Sequence, residues 1–375
     1  MSELNELIGE LAERYGGSTI IRPATETPKV EFIPTMIPTV DKILGGGVAI
    51  NRITELYGDF SSGKSWLTYN IISQFQRFDW KNRIPNGIRK IDFEKKLIKG
   101  KGRRKDRTVY DIKKIHSEVE DAETKVVVLI DFEKSYSKEW GEKQGIWNEH
   151  LIHIVPSSPD EAIDITETFL SSNSVGLVCF DSIHAVGGVN EVNESMEKNT
   201  VGESARLWNR GFRKFQAALN RNEGDDTTLI FINSAYTEMG MFGGEKVKGG
   251  KGAAFAKSVS LRMQGLAPEK SKEEVLGKEI SIHNKKNKVA KPHLSGRIFL
   301  SLSDNARVPF GTCDRTMQII EIAAEEGIVQ QSGAFFQYDG QKKCQGKLKF
   351  ADWLESSGEL EKIVADVYEA LGITL

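Results

Sequence analysis

Cysteine is scarce in this chain of 375 residues: Cys179, Cys313 and Cys344 are the only three, far apart and with no C-x-x-C pair. That excludes a thiolate zinc site and a disulfide framework, and it predicts buried thiols in a reducing compartment. Histidine is also thin, at six residues. The nearest pair, His150 and His153, has no cysteine or second histidine pair beside it and reads as structural. No apolar run approaches the ~18 residues of a membrane span. The start, MSELNELIGELAERYGG, is charged and amphipathic, so no secretory leader is expected and the expected location is cytoplasmic. Charge of one sign is missing too: the formal net charge is −2. The average therefore says nothing about nucleic acid, and only local charge can.

What is present begins with GDFSSGKS, residues 58–65, which fits G-x-x-x-x-G-K-[ST]. Backbone N–H groups that converge on phosphate oxygens need residues tolerant of unusual dihedrals, hence the glycines. In this pattern Lys64 reaches the outer phosphates and the Ser65 hydroxyl sits on magnesium. RITELYG before the loop reads as a strand and WLTYNIISQFQRF after it as an amphipathic helix, whose positive N-terminal end faces the anion. Gly58, Asp59, Phe60, Ser61, Ser62, Gly63, Lys64, Ser65 and Trp66 are the expected nucleotide-binding residues, with Mg2+ beside the phosphates; that the nucleotide is ATP is what the resemblance given below implies.

From Ile37 onward, strand and helix patterns alternate. VVVLIDFE, LIHIVP, VGLVCFDS and TTLIFINS are short apolar runs, the mark of buried parallel strands. PDEAIDITETFLSS and ARLWNRGFRKFQAAL between them are helical. The fold class is therefore α/β around a central, mostly parallel sheet. EISIHNKK and GRIFLSLS, shorter and more polar, suggest an antiparallel extension. At the front, Leu4, Leu7, Ile8, Leu11 and Tyr15 form one helical stripe, and STIIRP follows as a strand. These two cannot bury themselves alone; they pack on their own core or on a neighbouring subunit. The divisions are 1–33 for this arm, 34–302 for the core, and 303–375 for a small α+β domain.

One stretch within the core, about 80–123, has no clean period. Its middle, KKLIKGKGRRKDR, sets eight lysines and arginines against Asp106 alone. Such a block is too self-repelling for a core and reads as an exposed insertion. A solvated surface arm and a phosphate-contacting arm stand as equal readings.

Phosphoryl chemistry needs a metal anchor and a group to activate water. Asp181, ending LVCFDS, fits the first, because ligands in open α/β sheets gather at the carboxyl ends of strands. Glu133 in IDFEK suits the second. Asp131 lies two residues earlier on the same strand face, so periodicity leaves both open.

Together these stretches resemble the RecA family of bacterial and phage recombinases. The likeness runs through STIIR, GGGVAINRITELYG, GDFSSGKS, VLIDFEKS, LVCFDSIHAV, ESARLWNRGFRKF, KGGKGAAFAKSVSLRM, KKNKVAKP and SGAFFQYDGQKKCQGKLKFADWL. The last of these and AAFAKSVSLRM are far more specific than the P-loop. The resemblance implies a RecA-type P-loop core, an N-terminal helix–strand oligomerisation arm and a small C-terminal domain. It assigns Lys64 and Ser65 to Walker A, Asp181 to Walker B and Glu133 to the catalytic glutamate. Trp140 falls at the aromatic that stacks on adenine. Lys286 and Lys288 match a lysine pair that reaches the neighbouring subunit's γ-phosphate, completing the site in trans.

The resemblance also places single-stranded DNA on two segments. NEVNESMEKNTVGESAR leads to Arg206 and Arg213. TEMGMFGGEKVKGGKG supplies Met239, Gly240, Met241, Phe242, Lys248, Gly249, Gly250 and Lys251. It implies an ATP-dependent recombinase that forms helical filaments on single-stranded DNA, pairs it with a duplex, and works in the cytoplasm of a bacterial or phage-infected cell. Ser234 stands where the family has a glutamine that links the γ-phosphate to the second DNA loop. The basic insertion has no counterpart in the common bacterial proteins, and the acidic tail many of them carry is not expected here. A hexameric motor, or an ATP-binding filament protein with little turnover, is the alternative.

Overall fold

The computed structural model describes residues 2–15, 25, 27, 29–100, 106–183, 203–221, 226–237, 245–247 and 249–375. In chain order the first elements are α1 (Ser2–Tyr15), β1 (Phe32–Ile33), α2 (Pro38–Leu44), β2 (Val48–Ala49), β3 (Ile53–Gly58) and α3 (Lys64–Arg77). Next come β4 (Ile88–Ile98), β5 (Arg107–Ser117), β6 (Val126–Asp131), α4 (Lys138–Lys143), β7 (Leu151–Ile154), α5 (Pro159–Leu170) and β8 (Val175–Asp181). They continue with α6 (Glu203–Arg221), β9 (Thr228–Thr237), β10 (Glu245–Val247), α7 (Gly250–Ala256), β11 (Val259–Ser271), β12 (Glu274–Asn287) and β13 (Ser295–Ser301). The last are α8 (Arg315–Glu325), β14 (Val329–Ser332), β15 (Phe335–Tyr338), β16 (Cys344–Gln345), α9 (Lys347–Ser357) and α10 (Leu360–Ala370).

Among the described residues the central sheet runs β13-β12-β11-β3-β9-β8-β6-β7, with β10 beside β9. Its interior from β11 to β7 is parallel. β12 and β13 are the expected antiparallel extension. The apolar runs follow from burial on both faces. Val127, Leu129, Leu177 and Cys179 pack under α3 with Leu67, Ile71 and Phe75. The alternate residues Val128, Ile130, Val178 and Phe180 pack against Ile163 of α5 and Trp208, Phe212 and Phe215 of α6. Cys179, Cys313 and Cys344 are free and buried. No described helix is long and apolar enough to cross a membrane.

Within the stretch without a clean period, the described residues include two strands. β4 and β5 form an antiparallel hairpin, a separate two-stranded sheet. Register shifts at Ile88/Lys90 and Asp92/Phe93 break the alternation, which is why the sequence shows no period.

Leu7, Ile8 and Leu11 of α1 are exposed, so this part of the stripe is not covered by the described core. The STIIR strand lies outside the described residues, as do the side chains of Leu4 and Tyr15. At the other end, α8, α9 and α10 enclose their own cluster around Ile319, Phe350 and Tyr368. It is tied to α2 by a buried contact: Tyr368 Oη donates to Asp41 Oδ2 at 2.9 Å. Burial pushes the Asp41 carboxyl up to about 7, against hydrogen bonds from Thr35.

Candidate nucleotide site

β3 delivers the chain into the loop at Gly58, and α3 begins at Lys64. Gly58 (φ 153°) and Gly63 (φ 87°) tolerate no side chain: a Cβ would lie 1.9 Å from the Met263 carbonyl oxygen and 2.5 Å from Ile280 Cδ1. Lys64 Nζ donates to the carbonyls of Gly58 (3.0 Å) and Asp59 (2.7 Å). Burial pushes its ammonium pKa down, opposed by Asp181, Asp59 and Glu133. Lys278 of β12 adds a second cation, donating to the Ser61 carbonyl. Nothing in the sequence marked it, because the contact spans more than 200 residues. Phe60 is exposed and Ser62 buried.

The Ser65 hydroxyl donates to Asp181 Oδ2 at 3.1 Å. Burial, with the charges of Glu133 and Asp131, pushes the Asp181 carboxyl up to about 7, against the pull of Ser65 and Lys64. A hydroxyl and a carboxylate oxygen side by side in an anion-rich pocket are a donor set that fits a hard divalent cation.

Asp131 and Glu133 have different tasks. Asp131 is buried and accepts the backbone N–H groups of Ser135 (3.1 Å) and Tyr136 (2.9 Å), with His153 Nε2 at 3.1 Å. It fixes the loop. Glu133 is exposed, and Ser182 Oγ donates to its Oε1 at 2.5 Å. Ser182, next to Asp181, was not singled out by the sequence reading. It holds the glutamate near Asp181 and Lys64. His150 is buried, near Phe93 at 6.0 Å between ring centroids, and burial pushes its imidazole down to about 4.

Trp140 packs on Phe310, ring centroids 5.3 Å apart, beside Gly311. The Trp66 indole is committed to the core and donates to the Gly311 carbonyl at 2.9 Å. Its contribution to a nucleotide is limited to its backbone. Ser234 sits in register with Gly58, directly beside the loop's entry. Its N–H donates to Asn233 Oδ1 at 2.9 Å, and Asn233 Nδ2 donates to buried Glu55 Oε1 at 3.0 Å. Glu55 also takes Lys257 as an ion pair and the Ser260 hydroxyl at 2.6 Å. This buried network joins the P-loop strand to Lys257 at the end of α7. Sequence reading missed it, because its members come from three strands and a helix end.

Lys286 and Lys288 lie away from their own P-loop. They donate to the carbonyls of Ala254 (2.7 Å) and Phe255 (3.3 Å) at the C-terminal end of α7. There, cations complement exposed carbonyls.

Arg206 and Arg213 are exposed on α6. Arg213 and Lys251 line one open groove between α6 and α7, with Asn209 and Phe255. Asn209 Oδ1 accepts from Gly252 N at 2.5 Å and pins α7 to α6. Gly249 and Gly250 have φ 100° and 61° at the start of α7. Met239, Gly240, Met241, Phe242 and Lys248 lie outside the described residues.

A strand, a glycine-rich loop and a helix in a mainly parallel sheet, with Asp181 and Asp131 at the ends of β8 and β6, define a P-loop α/β protein. Comparison with known proteins narrows the class. The RecA N-terminal domain family matches residues 106–303, more than half of the chain, and the RecA C-terminal domain family matches 317–372. The chain is 28% identical over 375 residues to Protein RecA of Frankia casuarinae, covering 99% of this chain and 93% of that one. Against Protein RecA of Aquifex pyrophilus it is 27% identical over 378 residues, covering 100% and 93%. The chain belongs to the RecA family.

Proposed function

We propose that the protein is an ATP-dependent DNA recombinase that assembles as a helical filament on single-stranded DNA and exchanges strands with a homologous duplex. The observation that carries this is the convergence of Lys64, Ser65, Asp181 and Glu133 at one end of the sheet, in a chain similar to proteins named RecA from end to end. The exposed Leu7, Ile8 and Leu11 of α1 support docking on an adjacent copy.

In this reading the P-loop amides and Lys64 hold the triphosphate. Ser65 and Asp181 would hold Mg2+, which would neutralise charge on the phosphate oxygens. Glu133 takes a proton from water as its oxygen bonds to the γ-phosphorus and the bond to ADP breaks. Trp140, backed by Phe310, offers a stacking face to the base. Arg206, Arg213 and Lys251 meet DNA phosphates, joined by the glycines that open α7.

Lys286 and Lys288 complete a neighbour's site. Exchanging both for alanine is expected to lower single-strand-stimulated turnover about 10³-fold, as loss of a cation acting in trans does, while nucleotide affinity changes less than about threefold. Equal losses of turnover and affinity would assign them only to the end of α7.

The test of the function is ATP turnover with and without single-stranded DNA, paired with negative-stain images. Stimulated turnover with helical filaments is expected. Closed rings would favour a hexameric motor, and filaments without stimulation a nucleotide-binding scaffold.

A further inference from the structure

The β4–β5 hairpin is the most charge-biased part of the molecule. Residues 88–117 hold twelve lysines and arginines against four acids, a surplus of +8. The whole chain carries −2, so all other residues together carry −10. An arm of one sign extends from a body of the other.

Its base is anchored. Ile88 and Ile91 are buried, and the Phe93 ring lies 6.0 Å from that of His150. Among the described residues its strands pair only with each other, and Leu97, Ile98, Tyr110 and Ile112 are exposed. Some cations are neutralised locally: Lys90 by Asp92, Lys96 by Asp111, and Arg89 by Glu118. Asp106 is occupied by the Gly100 N–H at 2.9 Å. Lys95, Lys99, Arg107, Lys113 and Lys114 have no acidic partner among the described residues. They fall on both faces: Lys95 is paired across the ladder with Tyr110, Arg107 with Ile98, and Lys114 with Asp92.

An isolated two-stranded ribbon is marginal by itself, and unpaired like charges weaken it further. A polyanion along the ribbon relieves that repulsion. We propose that this hairpin is a second nucleic-acid contact, which grips the sugar–phosphate backbone of duplex DNA.

Two observations favour a duplex over a single strand. The hairpin enters the sheet at the amino end of β6, whereas the segments proposed to hold the single strand follow the carboxyl ends of β8 and β9. The hairpin's base, where Phe93 meets His150 just before β7, is therefore at the other end of the parallel strands from Gly249, which lies against Ile183 just past β8. Non-specific single-strand binders also rely on several aromatic platforms. Here Tyr110 is the one exposed aromatic among the hairpin's described residues. A two-stranded ribbon, by contrast, is a shape that a major groove admits. The contact is sequence-independent, because lysine and arginine tips on phosphates position without reading bases.

The proposal goes beyond the recombinase reading and uses only its premise that the protein handles DNA. The test uses the full chain carrying Lys95→Gln, Arg107→Gln, Lys113→Gln and Lys114→Gln together, with a non-hydrolysable ATP analogue present. Fluorescence anisotropy is followed across a KCl series, once on a short mixed-sequence duplex and once on a thymidine oligomer. The duplex slope of log K against log salt is expected to fall by about 3–4, near 0.9 for each lost contact. At low salt this is on the order of a 100-fold weaker complex. Affinity for the oligomer, DNA-free ATP turnover and the melting temperature are expected to stay as in the unaltered protein. A matching variant with the three lysines changed to arginine retains the slope.

An unchanged duplex slope overturns the proposal. So does a loss confined to the oligomer, or a loss that the arginine variant shares. If the unaltered protein shows no single-strand-stimulated turnover, the recombinase reading fails, and the duplex measurement still decides the hairpin.

Discussion

Lys64→Ala is expected to weaken ATP binding at least about 100-fold and to abolish ATP-dependent assembly on single-stranded DNA. The size follows from the geometry. Lys64 Nζ already donates to the Gly58 and Asp59 carbonyls, so the ammonium is held in the loop before any phosphate arrives. A charged hydrogen bond contributes about 1.5–3 kcal/mol, and an outer phosphate takes more than one from such a group. Alanine removes these bonds and the one cation that opposes Asp181 and Glu133 within the loop itself. Lys278 remains nearby, bound to the Ser61 carbonyl, and does not replace it. Nucleotide titration by calorimetry reads the first effect and negative-stain imaging the second. Filaments that persist with ATP would show that assembly is not gated by this site.

Glu133→Gln is expected to lower stimulated turnover by about 10²–10⁴, the range for loss of a general base, with nucleotide affinity nearly intact. The amide keeps the side chain's shape and still meets the Ser182 hydroxyl, which is 2.5 Å from the carboxylate. Only the proton-accepting oxygen is lost. Asp131→Asn provides the contrast. Asp131 is buried and holds the N–H groups of Ser135 and Tyr136, so its variant should lower stability and turnover together. If Glu133→Gln keeps full turnover, or if its loss is matched by a fall in melting temperature, the base is another group.

Much of this was legible in the sequence. Strands buried on both faces must be nearly all apolar, so VVVLIDFE and VGLVCFDS announced themselves as buried strands of the sheet. The P-loop was readable because its backbone conformation demands glycine where a Cβ would strike the Met263 carbonyl. Periodicity left Asp131 and Glu133 open, and only the resemblance favoured Glu133; in the structure β6 ends at Asp131, and the two carboxylates have different hydrogen-bond partners. The hairpin was missed because two bulges break its alternation and its side chains are mostly charged. Trp66 is read as a nucleotide contact from its place after Ser65; its indole donates to the Gly311 carbonyl, which leaves its backbone for that role. The Glu55–Lys257 pair and Lys278 were invisible because they join residues more than 200 positions apart. Local pattern carries no record of such contacts.

That network also bears on Ser234. Ser234 lies beside Gly58 and is shorter than the glutamine that the resemblance leads one to expect there. Asn233, Glu55 and Lys257 form a continuous buried connection from the same position to the end of α7.

The most direct test of the central claim is strand exchange between a circular single strand and a homologous linear duplex, with ATP and Mg2+. Joint molecules followed by nicked circular duplex are expected, lost in Lys64→Ala and absent when the duplex is heterologous. Turnover stimulated by single strands without any joint molecules would contradict it.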